Sequence, residues 1–435
     1  MEQFDRTTIE IAIEKVAFGS QGIGFLDGKA VFVAEALPGD LVEAEIVKNK
    51  KNYSEAKLVR IIKKSSLRVS SPCPYLSCGG CQWLEAPVST QLEWKKSFVA
   101  EALSRVGKIE LQKQEINLHP SPTTSFYRNR VLLRGTVRQD GSIGVGYFKK
   151  ASRTQIPVEN CYIAANGINR IIDLIRNARV SSEEQKFRIE LQEFPKFEDR
   201  ECQVSAVLHP VEKKTKSLDS LLQILKSHSD IIWAGYSKGV LDAPIFPFEL
   251  APDGLVYFTA PGQFFQVNLL QNYKLRQIVE KFCDDLPSDT FVLDLFCGSG
   301  NLSLSLANGL RSVVGVEQNT KSIQIASHSV SYNKLKGISY HAESSLNYLK
   351  NKLNLLSKKN LKIVIADPPR AGMKECITFL LKMNPDYIIY ASCDPLTLAR
   401  DLNLLSHKYR IKNVEVLDFF PHTYHVESVV FLQKV

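Results

Sequence analysis

The chain lacks several things that would have placed it in other classes. No apolar run approaches the roughly 20 residues that cross a bilayer, so no membrane partner is expected. The opening MEQFDRTTIEIAIEK mixes charge with alternating apolar positions and lacks the apolar block of a secretion signal. The expectation is therefore a cytoplasmic protein, and a monomer. Internal repeats and low-complexity tracts are missing, which excludes solenoids and fibrous assemblies. A strong excess of one charge is missing too. The 55 basic against 46 acidic side chains leave +9, a lean toward a polyanion that an ordinary solvated surface would share. Cysteine, by contrast, is not scarce. Nine of them in a reducing compartment point to metal binding or catalysis wherever they cluster, rather than to disulfides.

At 435 residues the chain is long for one core, and its patterning divides it in three. Residues 1–66 alternate in short runs broken by Gly19, Gly22, Gly24 and Gly28, which suits a small, tightly curved β-barrel. Its last strands are basic, with Lys48, Lys50 and Lys51 around Tyr53. Residues 67–265 hold a cysteine segment, a helix near 89–106 and a mixed α+β region. That region contains a hairpin in YRNRVLLRGTVRQDGSIGVGYFKK and a helix in KSLDSLLQILKSH. In residues 266–435, FVLDLF, SVVGVE, KIVIADP, DYIIYASC and VEVLDFF are short apolar strands separated by helical stretches. The predicted fold class is α/β, with this region a Rossmann-like, doubly wound parallel sheet.

In such sheets ligands collect beyond the carboxyl ends of the strands. VLDLFCGSGNLSLSLA places Gly298 and Gly300 at a turn between a predicted strand and a predicted helix. Backbone N–H groups and an electropositive helix start would face a ligand there. The spacing is not G-x-G-x-x-G, which disfavours a dinucleotide. Glu317 ends the next strand, where a carboxylate can hold both ribose hydroxyls, so an adenosyl ligand is expected. A purely structural turn is the plainer alternative.

Three later strand ends carry Asp367 in ADPPRAG, Cys393 in ASCDP and Glu427 in FFPHTYHVES. Most lone cysteines are small buried hydrophobes, the reading for Cys202, Cys283 and Cys376. Cys393 differs, because it ends a strand and precedes a helix whose dipole would lower its pKa. A thiolate there suits uracil chemistry. C5 of uracil is too poor a nucleophile to take a methyl group from a sulfonium unaided, and thiolate addition at C6 makes it an enolate carbon. Glu427 would then remove the C5 proton, and Asp367 would hold the uracil edge. ADPPR also resembles the Asp-Pro-Pro-aromatic loop of amino-methylating enzymes, but Arg370 stands where those need an aromatic. For His422 and His425, hydrogen bonding within their loop outweighs catalysis.

CPYLSCGGC supplies Cys73, Cys78 and Cys81, and Cys161 follows in VENCYIA. Four cysteines so spaced fit an iron–sulfur cluster or a structural zinc, and spacing alone does not separate the two.

Together these motifs resemble the RNA uracil-5-methyltransferase family, over nearly the whole chain and in particular the branch acting on 23S ribosomal RNA. GSQGIGFLDGKAVFV and ALPGD resemble its TRAM RNA-binding domain. The resemblance implies S-adenosylmethionine as methyl donor and a 4Fe–4S cluster at Cys73, Cys78, Cys81 and Cys161, in preference to zinc. FFQVN resembles the family's F-x-Q-x-N motif, which implies cofactor contact at Gln266 and base stacking at Phe264. Further cofactor contacts are implied at Phe296, Asn301, Glu317, Asp367 and, more loosely, at Glu343 or its neighbour Ser344. ASCDP resembles the nucleophile motif and FPHTYHVES the base motif.

The sequence departs from the family in two further respects. The first cysteine gap is one residue short, and Asp394 stands where Asn is usual, which would raise the pKa of Cys393. A uridine in folded RNA must be flipped out to reach the thiol. Arg128 and the barrel lysines Lys48, Lys50 and Lys51 would grip phosphates, although a merely solvated face suits the lysines equally well. The rival readings are the same chemistry on transfer RNA, which the barrel and cysteine cluster argue against, and a non-catalytic RNA-binding iron–sulfur protein.

Overall fold

The computed structural model describes residues 7–111, 115–181, 183–211, 216–307, 311–359 and 362–435. Six strands open the chain: β1 (Thr8–Ala12), β2 (Lys15–Val16), β3 (Gln21–Leu26), β4 (Lys29–Ala34), β5 (Leu41–Asn49) and β6 (Tyr53–Lys63). They form one curved sheet in the order β1-β5-β6-β4-β3-β2, around a core that includes Ile11, Val31, Val33 and Val42. Curvature brings the backbone of β3 against β1. A Cβ on Gly24 would lie 2.3 Å from the Ala12 carbonyl oxygen, so only glycine fits there.

The cysteine segment leads into helix α1 (Val88–Arg105) and strand β7 (Ile116–His119). The central sheet contains β8 (Arg130–Val137), β9 (Ile143–Phe148), β10 (Gln155–Pro157), β11 (Gln185–Phe194), β12 (Gln203–Pro210) and β13 (Ile231–Tyr236), in the order β10-β9-β8-β11-β12-β13. Helices α2 (Asn166–Asn177) and α3 (Lys216–Ser227) bury their Ile and Leu stripes against this sheet. The predicted hairpin is β8–β9, turning at Gly141 with φ +77°. A short hairpin, β14 (Phe246–Leu250) and β15 (Val256–Thr259), precedes α4 (Leu269–Asp284).

The remaining elements are β16 (Phe291–Leu295), β17 (Ser312–Glu317), α5 (Thr320–Tyr332), β18 (Ile338–Ala342), α6 (Ser345–Ser357), β19 (Lys362–Ala366), α7 (Lys374–Met383), β20 (Tyr387–Ser392), α8 (Pro395–Leu405), β21 (Tyr409–Leu417) and β22 (Glu427–Lys434). They build an eight-stranded sheet in the order β18-β17-β16-β19-β20-β22-β21-β7. Seven strands run in one direction, and β22 inserts antiparallel between β20 and β21. Both faces are covered. Phe291, Leu293 and Leu295 pack beneath α1, α6, α7 and α8, while Val292 packs with Leu275 and Val279 of α4. Burial on both sides is why these strands read as continuous apolar runs.

One expectation needs correction. The helix predicted after the glycine turn is absent from the described residues, where a single 3-10 turn at Leu304–Leu306 follows. The polar, serine-rich NLSLSLA does not pay a helix's cost without a full apolar stripe. The sheet also reaches across the boundary drawn at residue 266, because β7 pairs with β21 and α1 lies against β7, β21 and α8. The catalytic sheet thus draws its edge strand and one covering helix from residues 88–119.

Candidate active site

Beyond the carboxyl ends of β16, β17 and β19 lies a cavity of about 760 Å³. Phe296, Gly298 and Gly300 form its glycine turn, with φ of 59°, 54° and 84°. A Cβ on Gly298 would meet nothing within 4 Å and would project into open space. Gly300 is needed for packing instead, since a Cβ there would lie 2.3 Å from the Tyr340 hydroxyl. The Phe296 N–H donates to Ser345 Oγ at 3.1 Å, tying the turn to α6. Glu317, Gln318 and Asn319 close one side, and the Glu317 carboxylate accepts from the Asn319 N–H at 2.8 Å. Gln266 is buried against the cavity, while Phe264 stands at its rim, 65% exposed. Asn268, the last residue of FFQVN, caps α4 by accepting from the Gln271 N–H. A backbone cradle with free space at Gly298 and a carboxylate at the next strand end fits an adenosyl ligand.

Two predicted contacts sit differently. Glu343 is not in the lining; its carboxylate accepts from Asn351 at 2.9 Å, and Ser344 and Ser345 line the cavity in its place. Asn301 does line the cavity, but its amide exchanges two 2.8 Å hydrogen bonds with Asn272 and accepts from Arg276. The side chain is thereby spent on holding the turn.

The inserted strand β22 creates the reactive corner. Ser392 is paired with Ser428, whose hydroxyl donates to the Ser392 carbonyl at 3.1 Å. Cys393 follows directly after β20 and Glu427 begins β22, near enough for the Glu427 carboxylate to act on the thiol. Asp367 ends β19 alongside, on the wall of the adenosyl cavity. Burial pushes the Cys393 thiol up to about 11, and Glu427 and Asp367 add to the rise while Arg370 opposes it. The expected lowering by the helix dipole is therefore overridden. Asp394 does not act on the thiol as expected: its carboxylate caps α8, accepting from the Leu396 and Thr397 N–H groups at 3.0 Å each. Burial and then Asp367 hold Glu427 well above the ordinary carboxylate range, and burial raises Asp367 to about 6. Arg370 is the positive charge facing this set, and its Nη2 lies 3.3 Å from His425 Nδ1.

The loop from Asp418 to Val426 that delivers Glu427 is held from several directions. The Lys95 ammonium of α1, wholly buried, donates to Asp418 at 2.5 Å and to the Phe420 carbonyl at 3.0 Å. The Gln82 and Trp83 N–H groups both donate to the His422 carbonyl at 3.0 Å, and Tyr127 donates to Pro421. Gln91 accepts from the His422 N–H at 2.7 Å.

A second cavity, about 260 Å³, is lined by Cys73, Cys78, Cys81 and Cys161, with Tyr147, Arg128 and His425. Among the described residues no three His, Cys, Asp or Glu side chains converge on a single ion position. The thiols stand around a cavity wall instead. Arg128, expected to grip phosphates, is half-buried beside this cavity. Its Nε donates to the Arg130 carbonyl and its guanidinium lies 5.9 Å from the Phe420 ring centre. Lys48 is paired with Glu55 at 2.6 Å, whereas Lys50 and Lys51 are exposed at the tip between β5 and β6. No helix among the described residues is long and apolar enough to cross a membrane.

A mixed sheet with an adenosyl cradle at its first strand end, and a thiol and carboxylate at later ones, defines a methyl-transferring enzyme. Residues 88–435 match the tRNA (Uracil-5-)-methyltransferase family and residues 2–59 the TRAM domain. The chain belongs to that family and is an S-adenosylmethionine-dependent RNA uracil-5-methyltransferase. It is 30% identical to a 23S rRNA (uracil(1939)-C(5))-methyltransferase RlmD of Tolumonas auensis, covering 98% of this chain and 96% of the relative. It is 31% identical to the RlmD of Legionella pneumophila, over 97% and 96%. The solved structure of Pyrococcus abyssi tRNA (uracil-54, C5)-methyltransferase with S-adenosyl-L-homocysteine superposes with a TM-score of 0.70. Identity there is 25%, over 98% of this chain and 100% of that one.

Arg370, Ser345, Asn272 and Arg276 were not assigned roles from the sequence. Only Arg370 lay in a motif already singled out; the others join the site through contacts that span up to 49 residues.

Proposed function

We propose that this chain methylates C5 of a uridine in 23S ribosomal RNA, with Cys393 as nucleophile and Glu427 as base. What supports this mechanism is that Cys393 directly follows β20 and Glu427 begins the neighbouring strand β22, beside Asp367 of the adenosyl cavity, so that both carboxylates act on the thiol. The Cys393 thiolate adds to C6 of the flipped uracil, and the displaced electron pair moves onto O4 as an enolate. S-adenosylmethionine supplies the methyl group that C5 attacks. Glu427 then accepts the C5 proton, the C5–C6 double bond re-forms, and the Cys393 sulfur leaves. Asp367 hydrogen-bonds the uracil edge, and Phe264 at the rim stacks on a base beside the vacated position.

Ribosomal RNA is supported by the names of the two relatives above. Transfer RNA is the second reading. The barrel does not count against it, since a transfer-RNA enzyme matches 98% of this chain. Cys73, Cys78, Cys81 and Cys161 are proposed to hold a 4Fe–4S cluster. Thiols spaced around a cavity suit a cluster better than one tetrahedral ion, and iron and labile-sulfide content of anaerobically purified protein tests this.

The deciding experiment incubates the enzyme with 5-fluorouridine-substituted 23S fragments and transfer RNA. Fluorine at C5 blocks proton removal, so a covalent adduct is expected on the ribosomal fragment and not with Cys393→Ala. An adduct on transfer RNA alone moves the substrate, and full methylation by Cys393→Ala sinks the mechanism.

A further inference from the structure

His425 connects the cysteine cavity to the loop whose Pro369 and Ala371 line the adenosyl cavity. The residue lines the cysteine cavity, yet its Nδ1 reaches across to Arg370 Nη2 at 3.3 Å. Guanidinium only donates, so Nδ1 is the acceptor and the ring is the neutral Nε2–H tautomer. Its surroundings agree: burial first, then Arg370, Arg128 and Lys95, push this imidazole down to about 4. The ring itself has little freedom. Tyr424 lies against it with centroids 4.3 Å apart, Phe420 meets it edge-on at 5.7 Å, and the His425 N–H donates to Thr423 Oγ1 at 3.3 Å. Arg370, by contrast, is exposed and follows two prolines in the loop after β19. An exposed arginine samples many rotamers, which dilutes its effect on any one neighbour unless something holds it.

Here His425 is what holds it. Burial, and after it Glu427 and Asp367, oppose ionisation of Cys393, and Arg370 is the group that favours it. We propose that His425 is a positioning residue for the methyl transfer: as a fixed neutral acceptor in the wall of the cysteine cavity, it holds the Arg370 guanidinium against the Cys393 sulfur. The cysteine module then contributes to catalysis without touching RNA or cofactor, by immobilising the loop that carries both His425 and the base. This rests on Cys393 being the reactive thiol. It concerns how that thiol is set, whichever RNA is the substrate.

The test reads thiolate formation directly and needs no RNA. Intact, cluster-loaded enzyme is treated with iodoacetamide across a pH series, and alkylation of the Cys393 peptide is followed by mass spectrometry. His425→Ala is expected to displace the profile to higher pH, slowing alkylation roughly tenfold at a fixed pH below the midpoint. His425→Asn, whose amide oxygen replaces Nδ1 as acceptor, is expected to stay within about twofold of the parent. Arg370→Ala is expected to slow alkylation as much as His425→Ala, and the double variant no further, because one residue acts through the other. Calorimetric S-adenosylmethionine affinity stays at the parent value in both His425 variants. Superimposed profiles for the parent and His425→Ala overturn the proposal, as do additive effects in the double variant. Equal slowing by Ala and Asn with loss of cofactor affinity also overturns it, by assigning His425 a merely structural part. A normal alkylation series with no 5-fluorouridine adduct would instead count against the proposed function.

Discussion

Four ionisable groups share the corner beyond β20: a thiol, two carboxylates and a guanidinium. Burial pushes the thiol up to about 11 and each carboxylate adds to the rise, so higher pH favours the thiolate. The sign follows from charge. Neutralising a carboxylate beside a thiol stabilises the thiolate, so Glu427→Gln shifts Cys393 reactivity to lower pH even as it removes the proposed base. Adducts with unsubstituted RNA are therefore expected to build up on Glu427→Gln, visible as a slow-migrating band in a denaturing gel, because addition proceeds and elimination does not. Cys393 and Glu427 were legible in the sequence because each ends or begins an apolar strand within a short motif. The level of the thiol was not. It depends on Arg370 and on burial, which come from chain segments far apart, and local reasoning from the helix dipole gave the opposite sign.

Helix α8 begins with Asp394, which accepts from two backbone N–H groups, so the residue that looked like an electrostatic oddity is a cap. Asp394→Ala is expected to lower stability by about 1 kcal/mol in urea unfolding, while Asp394→Asn, an equally good cap, leaves it nearly unchanged. Helix α1 makes a larger commitment. The Lys95–Asp418 pair is buried on both sides, and removing one partner strands the other charge. Lys95→Ala is expected to cost about 3–5 kcal/mol in the same measurement and to loosen the base-bearing loop. Helices α1, α3, α5 and α8 were all legible from apolar periodicity and flanking turns. The 3-10 turn after Gly300 was not, since the motif's glycines suggested a helix that NLSLSLA does not sustain. The strand Ile338–Ala342, short and largely exposed, also carried too little apolar signal to be read.

Across the whole molecule, the surface expected to carry phosphate contacts is smaller than the lysine count implied. Lys48 is neutralised by Glu55, and Arg128 is turned inward toward the cysteine cavity, leaving Lys50 and Lys51 at the barrel's tip. If both grip phosphates, Lys50→Ala with Lys51→Ala lowers the slope of log affinity against log salt by roughly 1.4–1.8 in filter-binding titrations; an unchanged slope assigns them to solvent. Patterning along the chain suggested three parts, but it does not show which distant segments share a sheet. A strand at residues 116–119 pairs with one at 409–417, and no local pattern advertises a partner some 300 residues away. That pairing bears on how the protein can be handled. A fragment starting at 266 would present β21 with its outer row of N–H and C=O groups bare and with Val414 and Val416 stripped of their cover. Such an edge invites neighbouring copies to dock in place of the missing strand, so the excised catalytic portion should precipitate where the piece beginning at 88 stays in solution.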